Sequence, residues 1–259
     1  MNDRTLDDAI PELCFSFPDV DCKPGEHMAS YRVNGKPFVY YMRNHHGDGR
    51  IALWLNLADG AQELYLNSGL RGYFFPPYVG TNGYLGVELD KDVDWAMVVS
   101  HVKEAFLNVG KNIDPKEIES IQVAAPNKAI DPKDLNPCLR DEVQVLLDKV
   151  RRFCTALPEV SETTKFGNPA FLAGKKTFVN IGATKFEMWL EVWVGQERQM
   201  DLAELDTYVI PNYIGHKGWI RKYVNQSTEE ADIQATLLFS YRHFALKRML
   251  KQLDENFDL

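Results

Sequence analysis

Residues Pro76 to Leu89 read P-P-Y-V-G-T-N-G-Y-L-G-V-E-L, and Pro211 to Val224 read P-N-Y-I-G-H-K-G-W-I-R-K-Y-V. Both obey P-x-Y-[VI]-G-x-x-G-[YW], and they lie 135 residues apart in a chain of 259. A long motif repeated at about half the chain length makes the protein two copies of one design. Pro76 and Pro211 suit the first residue of a strand, where a missing N–H need not join a ladder. Gly80 and Gly83, like Gly215 and Gly218, bracket a two-residue insert and supply the positive φ of a tight turn. Tyr78 and Tyr213 precede that turn, and Tyr84 and Trp219 begin the strand after it. Each copy is therefore expected to hold an aromatic-rich β-hairpin.

The repeat extends outward from the motif. At an offset of 140, Cys14, Pro18, Val20, Phe38 and Val39 meet Cys154, Pro158, Val160, Phe178 and Val179. At an offset of 135, Trp54, Leu55 and Tyr73 meet Trp189, Leu190 and Tyr208. The change of offset falls after Tyr41, in the loop M-R-N-H-H-G-D-G-R, so a five-residue difference is expected in one hairpin loop. Each copy then reads as a helix (about 5–16 and 137–156), three strands (169–173, 176–182 and 186–194 in the second), a short helix, the two motif strands and a long C-terminal helix. The expected fold is α+β, two tandem α-β-β-β-α-β-β-α domains with antiparallel sheets. The first spans 1–110 and the second 137–259. A linker, 111–136, holds Pro115, Pro126 and Pro132 and has a candidate edge strand at Ile121–Ala124.

Composition sets limits on function. The chain is 45% hydrophobic and 25% charged, as a globular protein is, with a formal net charge of −8. Residues 1–140 hold 14 basic against 20 acidic side chains and the remainder 15 against 17, so neither half has the basic excess of a strong nonspecific nucleic-acid binder. The N-terminus lacks an apolar signal region and no apolar run is long enough to span a membrane. Cys14, Cys22, Cys138 and Cys154 form no C-x-x-C; free thiols in a reducing cytoplasm are expected.

The element order and the repeated hairpin resemble the MmcQ/YjbR family. So do L-P-E-V-S-E-T-T-K-F-G-N-P-A-F at Leu157–Phe171 and G-K-K-T-F-V at Gly174–Val179. The first copy is similar but looser, and the chain looks like a tandem duplication covering 13–109 and 148–252. The resemblance implies a fold like that of secretion chaperones, which bind partner proteins. It also implies DNA binding, a label the family carries for a proposed double-wing shape. It supplies no catalytic residues.

The residues themselves point to binding rather than catalysis. No G-x-S-x-G, Walker A or H-E-x-x-H is present, and nothing assembles a nucleophile, base and orienting group. No cofactor or metal is expected: His45-His46 have no further ligand at a recognised spacing. The best case for nucleic acid is His216, Lys217, Trp219, Arg221 and Lys222, cations beside an aromatic that could stack on a base. Lys175, Lys176, Arg242, Lys247, Arg248 and Lys251 could extend it, whereas the first copy has Thr81, Asn82, Glu88 and Asp90 instead. The plain alternative makes Lys217, Arg221 and Lys222 ordinary solvated strand charges. The rival function is protein–protein interaction, because Tyr73, Phe74, Phe75, Tyr78 and Tyr84 are many aromatics for one strand pair to bury. The repeat is also compatible with a monomer of pseudo-two-fold design.

Overall fold

The computed structural model describes residues 3–25, 27–89, 94–184 and 187–256; Asp90, Lys185 and Phe186 of the sequence reading lie outside them. The chain divides into two units, Met1–Asp131 and Pro132–Leu259. The first runs α1 (Leu6–Phe15), β1 (Asp21–Pro24), β2 (Met28–Val33), β3 (Lys36–Arg43), β4 (Ile51–Asn56), α2 (Ala61–Leu66), β5 (Tyr73–Phe74), β6 (Tyr84–Glu88), α3 (Trp95–Val109) and α4 (Pro115–Glu119). The second runs α5 (Pro132–Leu135), α6 (Asp141–Ala156), β7 (Val160–Lys165), β8 (Asn168–Ala173), β9 (Lys176–Ala183), β10 (Met188–Trp193), α7 (Gln196–Leu202), β11 (Tyr208–Val209), β12 (Trp219–Val224), α8 (Glu230–Phe244) and α9 (Lys247–Asn256).

Each unit holds one antiparallel six-stranded sheet, in the order β1-β2-β3-β4-β6-β5 and β7-β8-β9-β10-β12-β11. The α+β class is as the sequence implies, with one strand more per copy than the three expected before the short helix. The added strands, β1 and β7, are edges whose residues are almost all exposed or half-exposed. With no face to bury, they carry no apolar alternation to read. In the first unit the core gathers Phe17, Phe38 and Phe106 between helices and sheet, with Phe17 and Phe106 ring centroids 4.6 Å apart. In the second, Phe178 meets Tyr241 in the same way, centroids 5.5 Å apart.

Strand pairing corrects the alignment of the copies. In the first, Tyr40 faces Trp54 and Trp54 faces Gly86. In the second, Asn180 faces Glu191 and Glu191 faces Arg221. Since Tyr40 corresponds to Asn180 and Gly86 to Arg221, Trp54 occupies the place of Glu191, not of Trp189. The W-L match is two residues out of register. The loop difference therefore splits: three residues between β3 and β4, and two between α2 and β5.

Three further expectations change. The stretch 111–136 contains no strand at Ile121–Ala124 and packs on the first unit up to Asn127. Ile118 is buried, Trp95 Nε1 donates to the Val123 carbonyl at 2.7 Å, and Arg4 and Asn127 exchange backbone and side-chain hydrogen bonds. The helix expected from 137 begins at Asp141, because Asn136 caps a separate 3₁₀ turn and Arg140 is extended. The last helix is two: extended Ala245 ends α8, and α9 turns Met249 and Leu253, one turn apart, into the core.

Candidate functional site

The motif is a loop rather than a tight hairpin. β5 and β11 end before Pro76 and Pro211, so neither proline opens a strand. A 3₁₀ turn follows at Gly80–Asn82 and at Gly215–Lys217, and the Gly80 and Gly215 N–H groups donate to the Pro76 and Pro211 carbonyls at 3.0 and 2.9 Å. Gly83 and Gly218 both have φ of +82°, the left-handed conformation expected of them. Gly80 and Gly215 serve a different need. A Cβ on Gly80 would overlap the Phe75 ring, and one on Gly215 would overlap the Ile210 side chain.

A glutamine from the middle helix fixes each loop. Gln62 Nε2 donates to the Gly80 and Tyr84 carbonyls at 2.8 and 2.5 Å, and Gln199 Nε2 donates to the Gly215 and Trp219 carbonyls at 2.8 and 2.5 Å. These two residues are 137 apart, the offset of β4 and β10, so a search at 135 passes over them. Both loops leave the motif tyrosine outside: Tyr78 is 72% exposed and Tyr213 is 90% exposed. Of the five aromatics expected to crowd the first copy, Phe75 and Tyr78 are exposed and Tyr84 is buried.

The basic residues of the second loop do not act together. His216 and Lys217 are exposed at the turn, whose backbone is held by Trp193 Nε1 donating to the Lys217 carbonyl and Gln196 Nε2 to that of His216. Beyond it β12 alternates, so Arg221 and Lys222 point to opposite faces. Lys222, 2% exposed, places Nζ 2.6 Å from Asp232 and 3.1 Å from Thr236 Oγ1 on α8. Arg221 lies over the Trp189 ring at 4.1 Å and reaches Glu191 at 3.3 Å. Trp219 is half-buried, its ring centroid 5.6 Å from that of Phe244. Lys222 is therefore closed to a phosphate, and Arg221 is already engaged. Arg242, Arg248 and Lys251 are ion-paired with Asp254, Glu159 and Glu255.

On the sheet face that carries Arg221, one row crosses four strands in each copy. In the first it reads Tyr40, Trp54, Gly86, Phe74, and in the second Asn180, Glu191, Arg221, Val209. Asn180 Nδ2 donates to Glu191 at 3.3 Å, while Asn180 Oδ1, Trp189 Nε1 and Arg221 Nε are buried without a protein hydrogen-bond partner. In the first copy, the His45 and His46 rings lie with centroids 4.0 Å apart and planes tilted by 45°, and His46 Nε2 lies 3.1 Å from the Tyr78 hydroxyl. Burial, then the neighbouring His46, holds His45 below the usual histidine range. Among the described residues no three His, Cys, Asp or Glu side chains form a metal-holding group. All four cysteines are free; burial pushes Cys14 and Cys154 far above the usual thiol range and Cys138 up to about 11. No described helix is long and apolar enough to cross a membrane.

Part of the chain matches a known family. Residues 155–243, within the second unit, match the YjbR family. A crystal structure of the Deinococcus radiodurans protein DR2400, whose domain is assigned to DUF419, resembles the chain with 20% identity and a TM-score of 0.35, covering 41% of this chain and 86% of that one. A comparison with curated proteins returns no match. The second unit thus holds the segment that matches the YjbR model, and the first repeats its strand order.

Proposed function

We propose that the protein is a non-catalytic binding module, acting in a reducing cytoplasm, whose motif loops dock a protein partner. The observation that carries this reading is the exposure of the motif tyrosine in both copies, at 72% and 90%, on loops pinned by Gln62 and Gln199. A rigid loop presenting an exposed aromatic is a low-entropy anchor for an interface. Binding of nucleic acid has less support: of His216, Lys217, Trp219, Arg221 and Lys222, only the first two are exposed.

Two assays on the same variants test the proposal. Protein captured from lysate by the parent should be lost with Tyr78→Ser/Tyr213→Ser, whose melting temperature should match the parent's, and retained with Lys217→Ala. Labelled DNA and RNA should bind weakly at low salt. Tight, salt-dependent nucleic-acid binding that Lys217→Ala abolishes would instead restore the nucleic-acid reading.

A further inference from the structure

Around the second motif loop, exposed apolar and acidic side chains share one short segment. α7, the turn after it, β11 and the motif loop that follows leave Met200, Leu205, Val209, Ile210 and Tyr213 exposed. The segment is compact: the Leu205 N–H donates to the Leu202 carbonyl and the Tyr208 N–H to the Leu205 carbonyl, each at 3.0 Å, while Gln199 ties α7 to Gly215. Interleaved with the apolar residues are Glu197, Asp201, Glu204 and Asp206, all exposed and none ion-paired among the described residues. The one cation between residues 197 and 213 is Arg198, and its guanidinium lies 4.4 Å from the ring centroid of Phe239 on α8.

We infer that this face of the second unit docks a cationic amphipathic segment of a partner protein, its apolar side chains against Met200, Ile210 and Tyr213 and its lysines or arginines against the four carboxylates. The inference rests on the protein-docking reading and adds the partner's chemistry. An exposed apolar patch with a polar rim is the anatomy of an interface. Four carboxylates that form no ion pair among the described residues, against Arg198 alone in their segment, set the sign of its complement, because a positive rim relieves their repulsion and steers encounter. The same carboxylates repel phosphate. The first copy lacks this rim: residues 60–78 hold Glu63 against Arg71. The cationic segment is therefore the second copy's ligand alone.

Fluorescence anisotropy of the full chain with two labelled model peptides tests the inference, one an amphipathic leucine/lysine helix and the other its leucine/glutamate counterpart. The lysine peptide should bind, less tightly as salt rises, and the glutamate peptide should not. Asp201→Asn/Glu204→Gln/Asp206→Asn should weaken binding about tenfold, as three rim charges of modest individual effect would. Asp59→Asn/Glu63→Gln in the first copy should stay within about twofold, a change too small for a specific rim contact. Met200→Ser/Ile210→Ser should also weaken binding, with thermal melts confirming that each variant folds. No binding of the lysine peptide, equal binding of both peptides, or a triple charge variant that binds like the parent overturns the cationic ligand. Loss only in the apolar variant does so too, while leaving the docking reading intact; that reading fails separately, in the Tyr78/Tyr213 assay.

Discussion

The row Tyr40, Trp54, Gly86, Phe74 and the row Asn180, Glu191, Arg221, Val209 occupy the same places on two copies of one sheet. The first is filled by rings. Gly86 has no side chain, and the Phe74 ring lies where its Cβ would be. The second is filled by charge: Arg221 stands at the glycine's place, folds over Trp189 and pairs with Glu191, and Val209, at Phe74's place, is left exposed. A second set differs likewise. In the first copy, Tyr73 accepts from or donates to His101 Nε2 at 2.7 Å and lies 3.2 Å from Met97, beside buried Val87. At the same places in the second stand Tyr208, Thr236, Asp232 and Lys222, so threonine replaces the histidine and a Lys222–Asp232 ion pair replaces valine and methionine. One backbone thus tolerates a neutral and a charged inlay at the same positions, so charge content says little about the fold and much about which copy does what.

The feature the copies share should be the most costly to lose. Gln199→Leu leaves two carbonyls without their donor, which costs about 2–6 kcal/mol at about 1–3 for each group. Gln62→Leu, at a less buried site, should cost less, and paired denaturant melts rank the two. An equal, negligible loss would show that the loops stand without their glutamines.

The charged inlay should be next. Asp232→Asn leaves Lys222 with Thr236, and about 1–3 kcal/mol is expected, below the full cost of an orphaned buried charge because Asp232 is half exposed. Lys222→Val, which installs the first copy's residue, should cost less than about 1 kcal/mol, since an apolar side chain replaces a desolvated ion. If Lys222→Val proves the worse of the two by thermal melt, the ion pair is a net stabiliser and the two inlays are not equivalent.

The smallest effect concerns acid. Burial holds His101 below its ordinary value near 6.5. The unfolded chain therefore takes up the proton first, so stability is full above about pH 6.5 and declines as pH falls from there toward the lower folded value. His101→Thr, the second copy's residue, should flatten that part of the stability profile. An unchanged slope would assign the acid sensitivity to His45 or His243, which burial also holds low.

The duplication, the α+β class and the left-handed glycines Gly83 and Gly218 were legible because turns and cores leave local marks. The register of the copies was not. Trp54 and Trp189 match by letter, and a two-residue slip in a strand keeps every side chain on its face, so the pattern cannot report it. β1 and β7 escaped because exposed edges need no alternation. The basic hairpin misled for a related reason: β12 alternates Arg221 outward and Lys222 inward, yet a lysine in an apolar strand reads as surface until Asp232 is seen beneath it. The acidic rim at 197–206 was in plain view but gained meaning only once Met200, Leu205 and Tyr213 proved exposed around it.

The buried Lys222 also bears on how such a chain avoids folding incorrectly. Two similar sequences on one polypeptide invite a strand of one copy to enter the sheet of the other during synthesis or refolding, a characteristic failure of tandem repeats. If β12 took the place of β6, its ammonium would lie beside Met97 and His101 with no carboxylate at Asp232's position. In the opposite exchange, Val87 would leave Asp232 without its cation. The first hybrid buries an ammonium without a carboxylate, and such a defect costs several kcal/mol; the second leaves unpaired only a carboxylate that is half exposed, and costs little. The divergence of the two inlays thus acts as a one-way proofreading key, by which the first half of the chain rejects the strand of the second.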